Sequence, residues 1–227
     1  PTRLPDDIVL ACVPEREDPR DAFVSLGAQT LTALPSGANV GTASLRRQAQ
    51  TLFARPDLGV VTLRGNVDTR LRKLEAGDAD ATYLALAGLK RMGLADRAAS
   101  LIDPELMPPA ACQGALAITA RAGDAATLDA LNGFEAQGAR VEIEAERAFL
   151  TALDGSCRTP IGALARWRDG SLDFIGEALT PDGTARWRRR ATVPGGENPM
   201  QTAKNLGLAL GGEIRDEAGG AIIMDPA

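Results

Sequence analysis

The chain has 227 residues, 44% of them hydrophobic, with a formal net charge of -5 and no histidine. That length is enough for one or two cores of ordinary domain size; the acidic balance and an aromatic content of only 4% exclude broad nucleic-acid binding and base stacking. Without histidine, Ser-His-Asp and Cys-His catalysis drop out along with most zinc sites, and no run approaches the roughly 20 apolar residues of a membrane span.

Ile8 to Val13 reads as a buried strand, and the charged, proline-bracketed run from Pro14 to Arg20 reads as a connector. Its acids, with Asp21 beyond them, are expected to be solvated: Glu15, Glu17, Asp18 and Asp21. From Ala38 onward, strands and helices alternate. Ala38–Thr42 runs into a helix from Ser44 to about Arg55, Leu58–Leu63 into Val67–Ala76, and Ala81–Leu86 into Ala87–Met92. Three short β-α units in series predict a parallel sheet covered by helices. A second connector, Pro104 to Gln113, contains Pro108-Pro109 and leads into a strand at Ala115–Thr119. Together the connectors predict a double hinge, at 15–19 and 108–114, with a cleft between the lobes that it joins.

A helix from about Ala136 to Leu153 puts Val141, Ala145, Ala148 and Ala152 on one apolar stripe and leaves Glu142, Glu144 and Glu146 to solvent. Three alternating runs follow, Ile161–Trp167, Leu172–Ala178 and Thr184–Val193. The Asp169-Gly170 and Asp182-Gly183 pairs between them predict an antiparallel meander. Asn198-Pro199 opens a last helix, expected to end near Gly211-Gly212.

Charge is spread unevenly, with nine cations against five acids between Gly41 and Arg91. Gly41-Thr42-Ala43-Ser44 ends a strand and opens a helix, which gathers free N–H groups, hydroxyls and the positive helix end into an anion site. Arg46 and Arg47, in the first turn, oppose the helix dipole, so a compensating partner is expected. Leu63-Arg64-Gly65-Asn66 repeats the arrangement, with Arg70 one turn on and on the same side as Asn66. Ala85-Leu86-Ala87-Gly88, followed by Lys90 and Arg91, is a third case. Ligands usually sit at the carboxyl ends of parallel strands, and the guanidinium fork matches a carboxylate. One such turn is an ordinary surface cation; three in one sheet point to a small polyanion.

Cys12, Cys112 and Cys157 show no metal-like spacing, and Pro1 opens no signal-peptide pattern, so the cytoplasm is the expected compartment. Cys12 reads as core and Cys112 as structural. Cys157 differs, because Gly155-Ser156-Cys157-Arg158-Thr159-Pro160 presents its thiol in a turn beside a cation, which favours thiolate. No acid stands out as catalytic.

The segments GTASLRRQAQ, LRGNVDTRLRKL, ALAGLKRMGL, ACQGALAI and the ERAFLTALDGSC block, in this order and with EREDPRDAFVS at the first hinge, closely resemble the porphobilinogen deaminase family. The resemblance implies periplasmic-binding-protein-like α/β domains joined by the double hinge, plus a C-terminal α+β domain with the three-stranded meander. Residues 1–14 and 115–134 would be the remainder of domain 1, 20–107 domain 2, and 135–227 domain 3. The implied reaction condenses four porphobilinogen molecules head to tail into hydroxymethylbilane with loss of ammonia, primed by a dipyrromethane cofactor held through Cys157. Carboxylate-binding roles fall on Arg46, Arg47, Arg64, Arg70 and Arg91, with Thr42, Ser44, Ala85, Gly88 and Gln113 near the cofactor or its chain. The family's charge-stabilising aspartate sits in a Ser-x-Lys-Asp-x-Pro motif whose proline aligns with Pro1. The catalytic residue is therefore expected ahead of Pro1, and residues 1–227 alone are expected to be inactive. The implied partner is porphobilinogen, with no metal, nucleic acid or membrane, and the state a monomer, with or without a separate N-terminal fragment. The competing expectation is a non-catalytic small-anion binding module of periplasmic-binding type, for which a presented thiol carrying two pyrroles would have no use.

Overall fold

The computed structural model describes residues 4–155 and 159–222. Its elements run in the order β1 (Ile8–Cys12), β2 (Asp21–Ser25), β3 (Asn39–Gly41), α1 (Leu45–Ala54), β4 (Gly59–Val61), α2 (Val67–Glu75), β5 (Ala81–Ala85), α3 (Leu86–Arg91) and β6 (Ser100–Leu101). There follow β7 (Ile118–Arg121), α4 (Ala125–Asn132), α5 (Gln137–Ala152), β8 (Ile161–Arg168), β9 (Ser171–Leu179), β10 (Arg186–Pro194) and α6 (Pro199–Ala218).

Five strands form a sheet in the order β4-β3-β5-β2-β6. Strand β3 lies parallel to β4 and β5, as the β-α series requires, but β2 runs antiparallel to both β5 and β6. The three strands of the β-α series are therefore parallel as expected, and the antiparallel β2 makes the sheet as a whole mixed. Phe23, Val40 and Tyr83 bury one face with Leu34, and Ala22, Val24 and Leu84 bury the other beneath Leu71, Leu74 and Leu89 of α2 and α3. Two apolar faces explain why alternation is weak in these strands.

The strand expected at Ala115–Thr119 lies further on, at Ile118–Arg121, and pairs antiparallel with β1 in a two-stranded ribbon. With one neighbour, β1 is mostly half-buried, not the buried strand expected from its apolar run. The meander is as expected, with β8-β9-β10 antiparallel throughout. One face of it packs on α5 and α6 around Phe149, Phe174, Leu153 and Ile214.

Helix α6 does not stop at Gly211-Gly212 but continues to Ala218 and ends at Gly219 in the left-handed conformation. Gly211 is a contact residue: a Cβ there would lie 2.7 Å from Ala152 Cβ and 2.8 Å from the Phe149 carbonyl oxygen of α5. Glu142 and Glu146 are also corrected, because neither is solvated. Arg16 of the first connector donates to Glu146 Oε1 at 2.7 Å and to Glu142 Oε2 at 3.2 Å, and all three side chains are buried. Glu146 also accepts from the backbone N–H of Cys112 and of Ala165, so one carboxylate ties both connectors to the meander. Cys112 itself adopts φ 64°, a value more usual for glycine.

Candidate active site

Ser44 caps α1 by accepting from the Arg47 N–H, and Thr42 Oγ1 accepts from the Ser44 N–H, so both hydroxyls shape the turn. Arg46 and Arg47 point inward and are buried. The compensating partner expected for them is Asp21, at the start of β2. Its Oδ2 accepts from Arg46 at 2.9 Å and its Oδ1 from Arg47 at 2.7 Å. Asp21 is 1% exposed, which overturns its expected place on a solvated hinge. Burial alone would raise its carboxyl; the two guanidinium groups outweigh that and hold it well below the usual carboxylate range. Gln113 completes the clamp, donating from Nε2 to Asp21 Oδ1 and to the Pro19 carbonyl.

Arg47 also donates to the Tyr83 carbonyl, and Arg46 to the Pro108 carbonyl and to Gln50 Oε1. Gln50 was not singled out in the sequence, although it lies one turn from Arg46 on the same helix face. Arg70 reaches back to the Gly65 carbonyl at 2.8 Å, on the side of the α2 cap Asn66, as the spacing predicts. Burial, and next the like charge of Arg47, depress the Arg70 guanidinium below its ordinary value.

Ser44, Arg46, Arg47, Arg70 and Gln113 line one cavity of about 490 Å³ together with Leu150, Thr159 and Ile161. Of the three guanidinium groups there, Arg46 and Arg47 share the single carboxylate of Asp21 and Arg70 pairs with no carboxylate among the described residues. Arg46 Nε and Arg47 Nε are buried without a hydrogen-bond partner, an arrangement that costs free energy. The surplus positive charge fits a ligand carrying several carboxylates. Arg64 and Arg91 are exposed and do not line this cavity; neither do Thr42, Ala85 or Gly88. Cys157 lies outside the described residues, two positions before Thr159 in the sequence. Among the described residues no cluster could hold a metal ion, and no helix is long and apolar enough to cross a membrane.

A mixed α/β domain with arginines converging beyond the carboxyl ends of its parallel strands defines the class of α/β proteins whose ligand site lies there. Residues 1–129 match the family model described as "Porphobilinogen deaminase, dipyromethane cofactor binding domain", and residues 140–216 match that of its C-terminal domain. Relatives named porphobilinogen deaminase are 51% identical over 225 residues in Caulobacter vibrioides and 52% over 225 in a further Caulobacter; one in Phenylobacterium zucineum is 50% identical over 226. Each alignment covers 99% of this chain and 70% of the relative. The chain therefore belongs to the porphobilinogen deaminase family of enzymes.

Proposed function

We propose that this chain acts in the head-to-tail condensation of four porphobilinogen molecules into hydroxymethylbilane with release of ammonia, and that Cys157 anchors the dipyrromethane primer. The observation that carries this reading is the Arg46-Arg47-Arg70 cavity, whose lining includes Thr159, close in sequence to Cys157. When bound, the primer supplies the free pyrrole position at which the chain extends. The protein's part is to hold carboxylates. Arg46 and Arg47 supply positive charge to the cavity they line, and Arg70 offers a guanidinium with no carboxylate partner among the described residues. Arg64 and Arg91, both exposed, serve longer chains at the approach to the site.

Both Nε2 hydrogens of Gln113 are already donated, so what it has left is the Oε1 acceptor, which suits a pyrrole N–H. Both oxygens of Asp21 are likewise engaged, which makes it a positioning residue for the two arginines. Thr42 and Ser44 fix the turn that aims them, and Ala85 and Gly88, at the start of α3, leave room beside it. In this reading the five-stranded domain (20–107) and the β1/β7 ribbon (1–14 and 115–134) are parts of periplasmic-binding-type lobes joined at 15–19 and 108–114. Residues 135–227 then form the domain that presents the anchor.

Mass spectrometry of the tryptic peptide containing Cys157, from freshly purified active enzyme, tests the assignment. The peptide should carry two linked pyrrole units, which Cys157→Ala abolishes and Cys112→Ala leaves in place. An unmodified Cys157 peptide would overturn it.

A further inference from the structure

A second cavity, of about 550 Å³, lies on the opposite side of Gln50 from the arginine cluster, where the end of α1 and the 100–107 segment meet the outer face of the meander. Its walls are apolar, built from Phe53, Leu101, Ile102, Leu106, Met107 and Leu179. Phe53, Leu101 and Leu106 are three of the eight large hydrophobic side chains left exposed among the described residues, and their convergence on one concave surface marks a contact site. The volume is in the range of small-molecule sites.

The polar groups of the walls are nearly all satisfied. Arg188 pairs with Glu177, which also accepts from Gln50 at 2.7 Å; Arg55 pairs with Asp57, and Arg190 with Glu105. Asp103 accepts from the Glu105 N–H, and its charge faces Arg20. The exception is Arg186. Its guanidinium carbon stands 4.1 Å over the Phe53 ring, and no carboxylate pairs with it among the described residues. A cation stacked on an aromatic face keeps its in-plane donors free for a further acceptor.

We propose that this cavity binds a small amphipathic anion, an apolar or aromatic body with one carboxylate, the body lying against Phe53, Leu106 and Leu179 and the carboxylate on Arg186. The charge pattern selects this class: one unpaired cation at an apolar site, with the nearby acids already engaged. It is a different site from the carboxylate cavity, because no lining residue is shared between the two.

The test uses the full chain with 1-pyrenebutyrate as probe and neutral 1-pyrenebutanol as its uncharged counterpart, followed by fluorescence anisotropy. Wild type should bind 1-pyrenebutyrate saturably at one site. Arg186→Met, which keeps the hydrocarbon stem over Phe53, should weaken the butyrate about tenfold and the butanol less than twofold. Ala54→Trp, placed to fill the cavity, should weaken both probes, and Arg70→Met should change neither. The proposal is overturned by the absence of saturable binding, by butyrate affinity that is unchanged in Arg186→Met, or by a loss of affinity in Arg70→Met, which would place the probe in the carboxylate cavity instead.

Discussion

Replacing Asp21 by asparagine removes one charge and almost no volume, and leaves Arg46 and Arg47 buried without a counter-ion. Removing one partner of a buried ion pair costs about 3–5 kcal/mol, and here one carboxylate serves two guanidinium groups with sub-3 Å contacts to both. In urea, with a slope of about 3 kcal/mol/M for a chain of this size, the midpoint should fall by about 1 M or more. Two further readouts separate this cause from general damage. Arg46→Met in the Asp21→Asn background should recover part of the loss, a coupling of about 1 kcal/mol or more, because it removes one of the stranded cations. The pH dependence has a definite sign as well. The folded-state pKa of Asp21 is depressed, so its contribution is fully present above the unfolded carboxylate value near pH 4 and is lost as pH falls through the folded value. The gap between wild type and Asp21→Asn should therefore be constant from about pH 5 to 8 and narrow in acid. A midpoint for Asp21→Asn within a few tenths molar of wild type, or a gap that does not change with pH, would refute the argument that Asp21 compensates the arginines.

In α6, Gly211→Ala should lower the thermal midpoint, overpacking against α5 costing about 1–3 kcal/mol, whereas Gly212→Ala, with nothing within 4 Å of its Cβ, should raise it through helix propensity; calorimetry that finds the same sign for both would contradict the packing account. Burial, and next the charge of Glu146, push the Cys112 thiol up to about 12, and burial with Glu135 raises Cys12 as well. Both should resist iodoacetamide at pH 8 in the native protein and react once it is unfolded, as peptide masses would show. Arg70→Met should leave the urea midpoint nearly unchanged, since it relieves like-charge repulsion from Arg47, while weakening the capture of each carboxylate by about 1.5–3 kcal/mol; stalled intermediates in native mass spectra would reveal the defect.

Much of the local structure was legible because short-range rules decide it. Ser44 and Asn66 cap α1 and α2 through their own side chains, and the Asp-Gly pairs set the meander turns. What was missed depends on distant partners. Asp21 looks solvated until Arg46 and Arg47, 25 and 26 positions on, fold against it, and Glu146 looks exposed until Arg16 arrives from 130 positions away. Gly211-Gly212 reads as a helix stop because sequence spacing does not show that α5 lies against Gly211. The arginine turns show the same limit within the site. Arg64 and Arg70 carry the same local signal, yet only Arg70 lines the cavity, because its stem turns back along α2 to the Gly65 carbonyl.

Glu146 holds Arg16 of the first connector, the Cys112 N–H of the second and the Ala165 N–H of β8. Three stretches far apart in the sequence thereby depend on one side chain. Losing Arg16 strands the buried Glu146 carboxylate, whereas losing Glu146 leaves Arg16 with Glu142 as its remaining partner, so the first replacement is the costlier one. A chimera that takes its C-terminal domain from a distant relative would need the connector residues of that relative along with it.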